Sequence, residues 1–154
     1  MTIRVFLDAS VLFAASYSET GSSRDLLREA VRGNLQIVVS QHVLEEAERN
    51  LAQKTPEVLP ALHEPLTVIA AEVADRPTRP ELEQAATCIA LKDAPIVAAA
   101  VKAKVDYLAT WDRRHFIDDP RVAETSGLTI ITPGELMAFI RKQGSADQNT
   151  DKGE

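Results

Sequence analysis

The sequence lacks several features that define other classes of protein. Cys88 is the single cysteine among 154 residues, so no disulfide can form within the chain. No apolar stretch approaches the ~18 residues of a membrane-spanning helix. Asp8 interrupts the apolar segment near the start, whereas the core of a secretory signal peptide is uninterrupted. These absences predict a cytoplasmic protein with no membrane attachment.

Positive charge is also scarce. The chain has 17 Lys and Arg against 23 Asp and Glu, which gives a formal net charge of −6. This balance argues against a protein that holds nucleic acid mainly through a basic surface, because such binding needs many cations to replace the counterions of the phosphates. It leaves open an enzyme that meets nucleic acid locally through metal ions.

What is present is the pattern of one α/β domain. The composition, 45% hydrophobic and 26% charged, is typical of a folded globular protein. Short apolar runs alternate with amphipathic helical segments, which predicts a parallel sheet covered on both faces. The strand candidates are residues 3–7, 37–39, 66–69, 105–109 and 128–131. We assign residues 1–142 to the domain and predict that residues 143–154, which have almost no apolar content, form a disordered tail.

Carboxylates recur where such a sheet binds ligands, beyond the carboxyl ends of its strands. Asp8 directly follows the first strand, and Asp112 lies just beyond the strand 105–109. Asp93 opens a helix, and Glu46 lies one turn into the helix after the second strand. Histidine occurs at only three positions. Several carboxylates without a His or Cys cluster favour Mg²⁺ or Mn²⁺ over zinc.

Each acid also has a structural interpretation. Asp93 has the position of a helix N-cap, which is the commoner role of an Asp before a helix. Asp112 can be a turn residue paired with Arg113 or Arg114. Glu135 is assigned to the capping box that begins the last helix. Asp8 is harder to explain in this way, because an isolated charge at the end of a buried strand is costly unless it is paired, hydrated or metal-bound.

Glu45 and Glu46 are adjacent, and helical geometry distinguishes them only modestly. The apolar side of their helix is formed by Val43, Leu44, Ala47 and Leu51. At about 100° per residue, the mean direction of that side lies about 115° from Glu46 and about 145° from Glu45. This favours Glu46 at the edge of the buried face, with Glu45 as the open alternative.

Five stretches together carry a family resemblance. They are VFLDASVL at 5–12, IVVSQHVLEE at 37–46, KDAPIVAAA at 92–100, VDYLATWD at 105–112 and IITPGEL at 130–136. In this order they resemble a PIN-domain nuclease, and most of all the toxin components of toxin–antitoxin pairs, the VapC-type relatives. The resemblance extends from Ile3 to about Arg141.

The resemblance implies a three-layer fold with a five-stranded parallel sheet of order 3-2-1-4-5 and helices on both faces. Strands one and four are then neighbours, which brings Asp8 and Asp112 together. The catalytic and metal-binding acids of the family correspond to Asp8, Glu46, Asp93 and Asp112. Its supporting polar residues correspond to Ser10 and Thr110. Trp111 stands where many relatives have glycine.

The resemblance also implies an activity and partners. The expected activity is hydrolysis of RNA phosphodiester bonds by an endoribonuclease that uses Mg²⁺ or Mn²⁺, leaving 5′-phosphate and 3′-hydroxyl ends. The expected partners are the RNA substrate, a cognate antitoxin protein and a second copy of the chain.

Two alternatives come from other classes of protein. One is a PIN-fold module without catalysis that binds RNA or a partner protein through the same surface. The other is a phosphotransferase that uses Asp8 as nucleophile, as haloacid dehalogenase-like enzymes do. Those enzymes need a second Asp two residues further on, and Ser10 occupies that position here.

Overall fold

The computed structural model describes residues 2–151, and the side chains of residues 2–146. The strands in this range are β1 (Ile3–Leu7), β2 (Leu35–Val39), β3 (Glu72–Val73), β4 (Tyr107–Ala109) and β5 (Ile130–Ile131). The α-helices are α1 (Ala9–Tyr17), α2 (Ser22–Val31), α3 (Gln41–Lys54), α4 (Leu59–Val68), α5 (Arg79–Ala85), α6 (Ala94–Lys102), α7 (Pro120–Ser126) and α8 (Pro133–Asp151).

The strands form one parallel sheet with the order β3-β2-β1-β4-β5. In its centre, Val5 of β1 lies opposite Ile37 of β2 on one side and Tyr107 of β4 on the other. Val5, Phe6 and Leu7 are all 0% exposed. Because successive side chains of a strand point to opposite faces, both faces of the sheet are covered. The predicted order and the predicted layers are therefore confirmed.

The prediction for the third strand was wrong. Residues 66–69 were expected to form it, but Leu66 lies in α4, and the third strand is the short β3 that follows. A run of four residues, three of them apolar, cannot distinguish a strand from a buried helix segment. Leu59, Leu62 and Leu66 have the spacing of one helix face, which is the signal that decides here. Both residues of β3 are exposed, so apolar patterning did not reveal it.

The last helix begins where the sequence predicts and continues further than expected. The backbone N–H of Glu135 donates to Thr132 Oγ1 at 3.2 Å. From there α8 extends to Asp151, so the backbone is helical through most of the segment for which composition predicts disorder. Once a helix is formed, each added residue gains one hydrogen bond, so a polar segment can extend it. Residues 152–154 lie outside the described residues.

The described helices include none suited to a bilayer. The longest, α8, has 19 residues. Neither it nor any other helix within residues 2–151 is both long enough and apolar enough to cross a membrane.

Candidate active site

The four predicted acids line one cleft at the carboxyl edge of the sheet. Because β1 and β4 are neighbours, the chain leaves both strands at the same edge, and the backbone N–H of Asp8 donates to the Ala109 carbonyl at 3.1 Å. The cleft has a volume of about 520 Å³. Its acidic lining residues are Asp8, Glu46, Asp93 and Asp112.

Asp8 is the most enclosed of the four, at 5% exposed. It follows β1 and caps α1, and its Oδ1 accepts from the backbone N–H of Ala9 at 2.8 Å. Its Oδ2 accepts from the hydroxyls of Ser10 at 2.9 Å and Thr110 at 2.7 Å. An ionised carboxylate has about four lone-pair sites. These bonds therefore fix the orientation of the Asp8 carboxylate and leave it some capacity to bind a cation.

The two predicted supporting residues connect β1 to the loop after β4. Thr110 is 0% exposed, and its Oγ1 accepts from the backbone N–H of Asp112 at 3.0 Å while donating to Asp8. Ser10 Oγ accepts from the backbone N–H of Trp111 at 3.1 Å. The two hydroxyls thus hold the Asp8 carboxylate and the Asp112 backbone in a fixed relation.

Asp112 is held by its own turn. Its carboxylate accepts from the backbone N–H of His115 at 3.1 Å, and His115 Nδ1 lies 2.9 Å from its Oδ2. The sequence-based alternative, a pair with Arg113 or Arg114, is therefore replaced by a pair with histidine. Arg113 instead forms an ion pair with Glu135, so the Glu135 carboxylate extends away from the helix cap assigned to it.

Asp93 has the position of a helix N-cap but makes none of its bonds. It precedes α6 with φ −101° and ψ −11°, and its side chain makes no hydrogen bond to the helix. Its Oδ2 is buried and has no hydrogen-bond partner among the described residues. Burial raises the pKa of the Asp93 carboxyl, and the nearby carboxylates of Asp112 and Asp8 raise it further, whereas Lys92 and His115 oppose the shift. An unpaired buried carboxylate oxygen is costly in a folded protein.

Glu46 lies in the cleft and Glu45 does not. Burial raises the pKa of the Glu46 carboxyl, and the charges of Asp8 and Asp93 add to the shift. Its neighbours His42 and Arg49 on α3 oppose the shift. Glu45 is exposed, and its Oε1 accepts from Gln41 Nε2 at 3.1 Å on the same helix. The geometry thus separates the adjacent acids in the direction that the helical arithmetic favours.

Sequence reasoning missed the polar and cationic residues of the cleft. These are His42, Arg49, Asn50 and Lys92. Four arginines elsewhere in the chain do not line the cleft: Arg24, Arg28, Arg113 and Arg114. Helical spacing was the available signal, because residues three and four positions after Glu46 lie on the same side of α3. Within the part of the chain that the structure describes, neither Arg49 nor Lys92 forms a salt bridge.

The donor set suits a hard divalent cation held by few carboxylates. Among residues 2–151, no three Asp, Glu, His or Cys side chains form a complete ion-binding group. Mg²⁺ in proteins usually keeps several waters and uses only one or two carboxylates, so an open arrangement suits it. The unpartnered Asp93 Oδ2 is the structural observation that fits such an ion, because a cation would satisfy it.

Comparisons with known proteins agree with this geometry. The family described as PIN domain matches residues 4–114. A search by sequence against curated proteins finds no significant match.

Three solved structures share the fold at low sequence identity. PAE2754 from Pyrobaculum aerophilum superposes with a TM-score of 0.63 and 16% identity, covering 90% of each chain. VapBC2 from Rickettsia felis, solved bound to a DNA fragment from their promoter, gives a TM-score of 0.61 and 18% identity over 83% of this chain and 97% of that one. VapC20 from Mycobacterium tuberculosis, a Sarcin-Ricin loop cleaving toxin, gives a TM-score of 0.53 and 18% identity over 71% of this chain and 91% of that one.

Proposed function

Because the chain belongs to the PIN domain family, we propose that it is an endoribonuclease that uses Mg²⁺ or Mn²⁺ to hydrolyse RNA phosphodiester bonds. The observation that carries the proposal is the buried, unpartnered Oδ2 of Asp93 in a cleft lined by three further acids. A site that served only to stabilise the fold would pair these charges, since isolated buried charges are costly. Within the described residues, Asp8, Glu46 and Asp93 form no salt bridge with Lys or Arg.

The residues proposed to hold one or two ions are Asp8, Glu46, Asp93 and Asp112, directly or through water. When bound, such an ion lowers the pKa of a bound water, which supplies the nucleophile, and neutralises charge on the phosphate. The role of Ser10 and Thr110 is to fix the Asp8 carboxylate, through their hydroxyl bonds of 2.9 and 2.7 Å. A fixed carboxylate loses little freedom on binding, which favours a defined site geometry.

The cations of the cleft rim are proposed to hold the substrate phosphates. Arg49 and Lys92 line the cleft beside Glu46 and Asp93 and are exposed. An arginine can donate two parallel hydrogen bonds to a phosphate, and a lysine contributes a point charge. The two cations give the cleft rim local positive charge, so a protein with a net charge of −6 can still bind RNA phosphates at this one place. Products with 5′-phosphate and 3′-hydroxyl ends are the expected outcome.

We further propose that the chain is the toxin of a toxin–antitoxin pair and acts in the cytoplasm. The support is the shared fold with VapBC2 and with VapC20, together with a free cysteine typical of a reducing compartment. The antitoxin would place a peptide over the acidic cleft, with an arginine paired to the carboxylates. A homodimer is the expected oligomeric state.

Substitution of Asp8 tests the activity. We expect Asp8→Asn to lower Mn²⁺-dependent cleavage of a single-stranded RNA at least about 100-fold, because removing even an outer-sphere partner of a metal costs 10–100-fold. Circular dichroism should show the same fold, since an asparagine oxygen can still accept hydrogen bonds. Glu124→Gln, which removes an exposed carboxylate on α7, is the control and should cleave normally.

The same experiment separates the enzyme from a non-catalytic PIN-fold module. Such a module would bind RNA without cutting it, and calorimetric titration of the wild type with Mn²⁺ would show no binding. Equal cleavage by the wild type and Asp8→Asn would reject the assignment of the site.

A further inference from the structure

Trp111 is a large aromatic residue at the surface beside the cleft. It is the single tryptophan of the chain, and it stands between two residues of the site, Thr110 and Asp112. It is 43% exposed, although a tryptophan usually buries most of its large ring. Its side chain is therefore partly open to solvent at a position in the chain between two residues of the site.

The Trp111 ring is fixed despite this exposure. Its indole Nε1 donates to the Oγ of Ser23 at 2.8 Å, and Ser23 is only 4% exposed in the first turn of α2. The far edge of the ring approaches Gly134 at the start of α8, where an added Cβ would meet Trp111 Cη2 at 3.9 Å. With its polar group satisfied, the surface that the ring leaves open is apolar.

Other exposed aromatic residues of the chain have ring partners, and this one differs. Tyr17 stacks on Phe13 with centroids 6.0 Å apart, and Phe139 packs against Tyr107 at 6.2 Å. In the region that the structure describes, no aromatic ring packs against Trp111. No aromatic side chain of the described residues therefore competes with an aromatic group from another molecule for this ring.

We propose that Trp111 is a specificity-determining residue that stacks on a base of single-stranded RNA, one of whose phosphodiesters lies in the acidic cleft. A single hydroxyl connects the two places, because Ser10 Oγ donates to Asp8 at 2.9 Å and accepts from the Trp111 backbone at 3.1 Å. The proposal rests on the proposed function for its substrate. Stacking on Trp111 would favour unpaired RNA over a duplex, because a paired base is already stacked. It would not favour a particular base, because every base offers a π-face.

The sole tryptophan supplies a direct test. An unlabelled 12-nucleotide oligouridylate would be titrated into an Asp93→Asn background, which is expected to bind without cutting. Tryptophan emission should be quenched in proportion to the occupancy measured by anisotropy of a labelled copy. A duplex of the same length should bind more weakly and quench less.

Two substitutions separate stacking from structural support. Trp111→Phe keeps an aromatic face, and its Kd for the oligonucleotide should stay within about threefold of the wild-type value. Trp111→Leu should raise that Kd about 5- to 150-fold, the range found when stacking residues are removed. Both substitutions, made with Asp93 intact, should keep wild-type Mn²⁺ affinity. Tyr17→Leu, which removes an exposed aromatic at the opposite end of α1, should leave RNA binding unchanged.

The outcomes distinguish this proposal from the proposed function. RNA cleavage by the wild type, combined with oligonucleotide binding that does not quench Trp111, overturns the stacking proposal alone. The stacking proposal also fails if Trp111→Leu binds the oligonucleotide as tightly as the wild type does. It fails as well if both Trp111 variants lose Mn²⁺ affinity, because Trp111 would then only support Ser10 and the metal site. If the wild type neither binds nor cuts RNA, both proposals fail.

Discussion

Helices α5 and α6 pack against each other and begin in opposite ways. At the start of α5, Thr78 accepts from the backbone N–H of Glu81 at 3.3 Å, and Glu81 accepts from the backbone N–H of Thr78 at 2.8 Å. Glu81 also contacts Lys102 Nζ at 2.9 Å. The hydrogen bond from the Thr78 backbone and the contact with Lys102 lower the pKa of Glu81 to about 2. At the start of α6, Asp93 makes no capping bond, and burial raises its pKa.

This difference separates an acid that stabilises the fold from one that the fold has to accommodate. The charge of Glu81 is favoured by its contacts with Thr78 and Lys102, so ionisation adds to stability. The charge of Asp93 is disfavoured by burial and by neighbouring acids, so ionisation subtracts from stability. An acid retained at such a cost is a candidate for binding a cation, which would reverse the sign of its contribution.

The largest expected difference between substituting Asp93 and substituting Glu81 is in the rate of RNA cleavage. Asp93→Asn should reduce Mn²⁺-dependent RNA cleavage at least about 100-fold, because a residue proposed to hold the ion should matter no less than outer-sphere groups, whose removal costs about 10- to 100-fold. Glu81→Gln, the matched change at the other helix, should cleave at the wild-type rate. Single-turnover assays on one RNA would measure both, and equal losses in the two variants would contradict the contrast.

Next in size is the difference between two adjacent acids on α3. Glu46→Gln should lower cleavage about 10- to 100-fold, because Glu46 faces Asp8 and Asp93 across the cleft. Glu45→Gln should stay within about twofold, because Glu45 is exposed and bonded to Gln41. Initial rates at several Mn²⁺ concentrations would decide between them. A larger loss in Glu45→Gln would move the second site acid to that position.

The third effect is on stability and has opposite signs at the two helices. Thr78→Ala should lower the free energy of unfolding by about 1 kcal/mol, and Tm by about 2–4 °C, because it removes a working N-cap. Without metal at about pH 7, Asp93→Asn should be at least as stable as the wild type, because it removes a disfavoured charge. Thermal unfolding followed by circular dichroism would measure both. A clear loss of stability in Asp93→Asn would show that the carboxylate supports the helix after all.

The smallest expected effect is the change with pH in the stability contributions of Glu81 and Asp93. The folded pKa of Glu81, about 2, is below its usual 4.5, so its stabilisation is complete above about pH 4.5 and is lost as pH falls toward 2. The pKa of Asp93 is raised in the folded state, so ionisation of its carboxyl destabilises the fold. This destabilisation is complete above the raised pKa and disappears as pH falls toward the unfolded value of about 3.9. The Tm advantage of Asp93→Asn over the wild type should therefore shrink on acidification. An advantage that grows toward low pH would contradict the sign.

Much of the fold could be predicted from local patterns. The strands β1, β2 and β4 lie in short, mostly apolar runs, and β1 is followed directly by Asp8. The order of the acids carried the family resemblance. The strand β3 could not be predicted, because two exposed residues bear no apolar pattern. It forms because β2 presents a free edge, to which Val73 pairs opposite Val39.

The site was predictable in its acids and less so in their surroundings. Which residues follow the strands is a local property, so Asp8 and Asp112 were accessible to sequence reasoning. The pairing of Arg113 with Glu135 depends on how α8 packs, and local sequence does not encode that contact. The ring position of Trp111 depends in the same way on Ser23, 88 positions away in the chain.

Calorimetric titration with Mn²⁺ is the decisive measurement, because it shows whether the unpaired Asp93 carboxylate belongs to a cation site. The wild type should bind Mn²⁺, Glu81→Gln should bind it equally well, and Asp93→Asn should bind it at least about 10-fold more weakly. A wild type that binds no Mn²⁺, or an Asp93→Asn variant with wild-type affinity, would contradict this assignment.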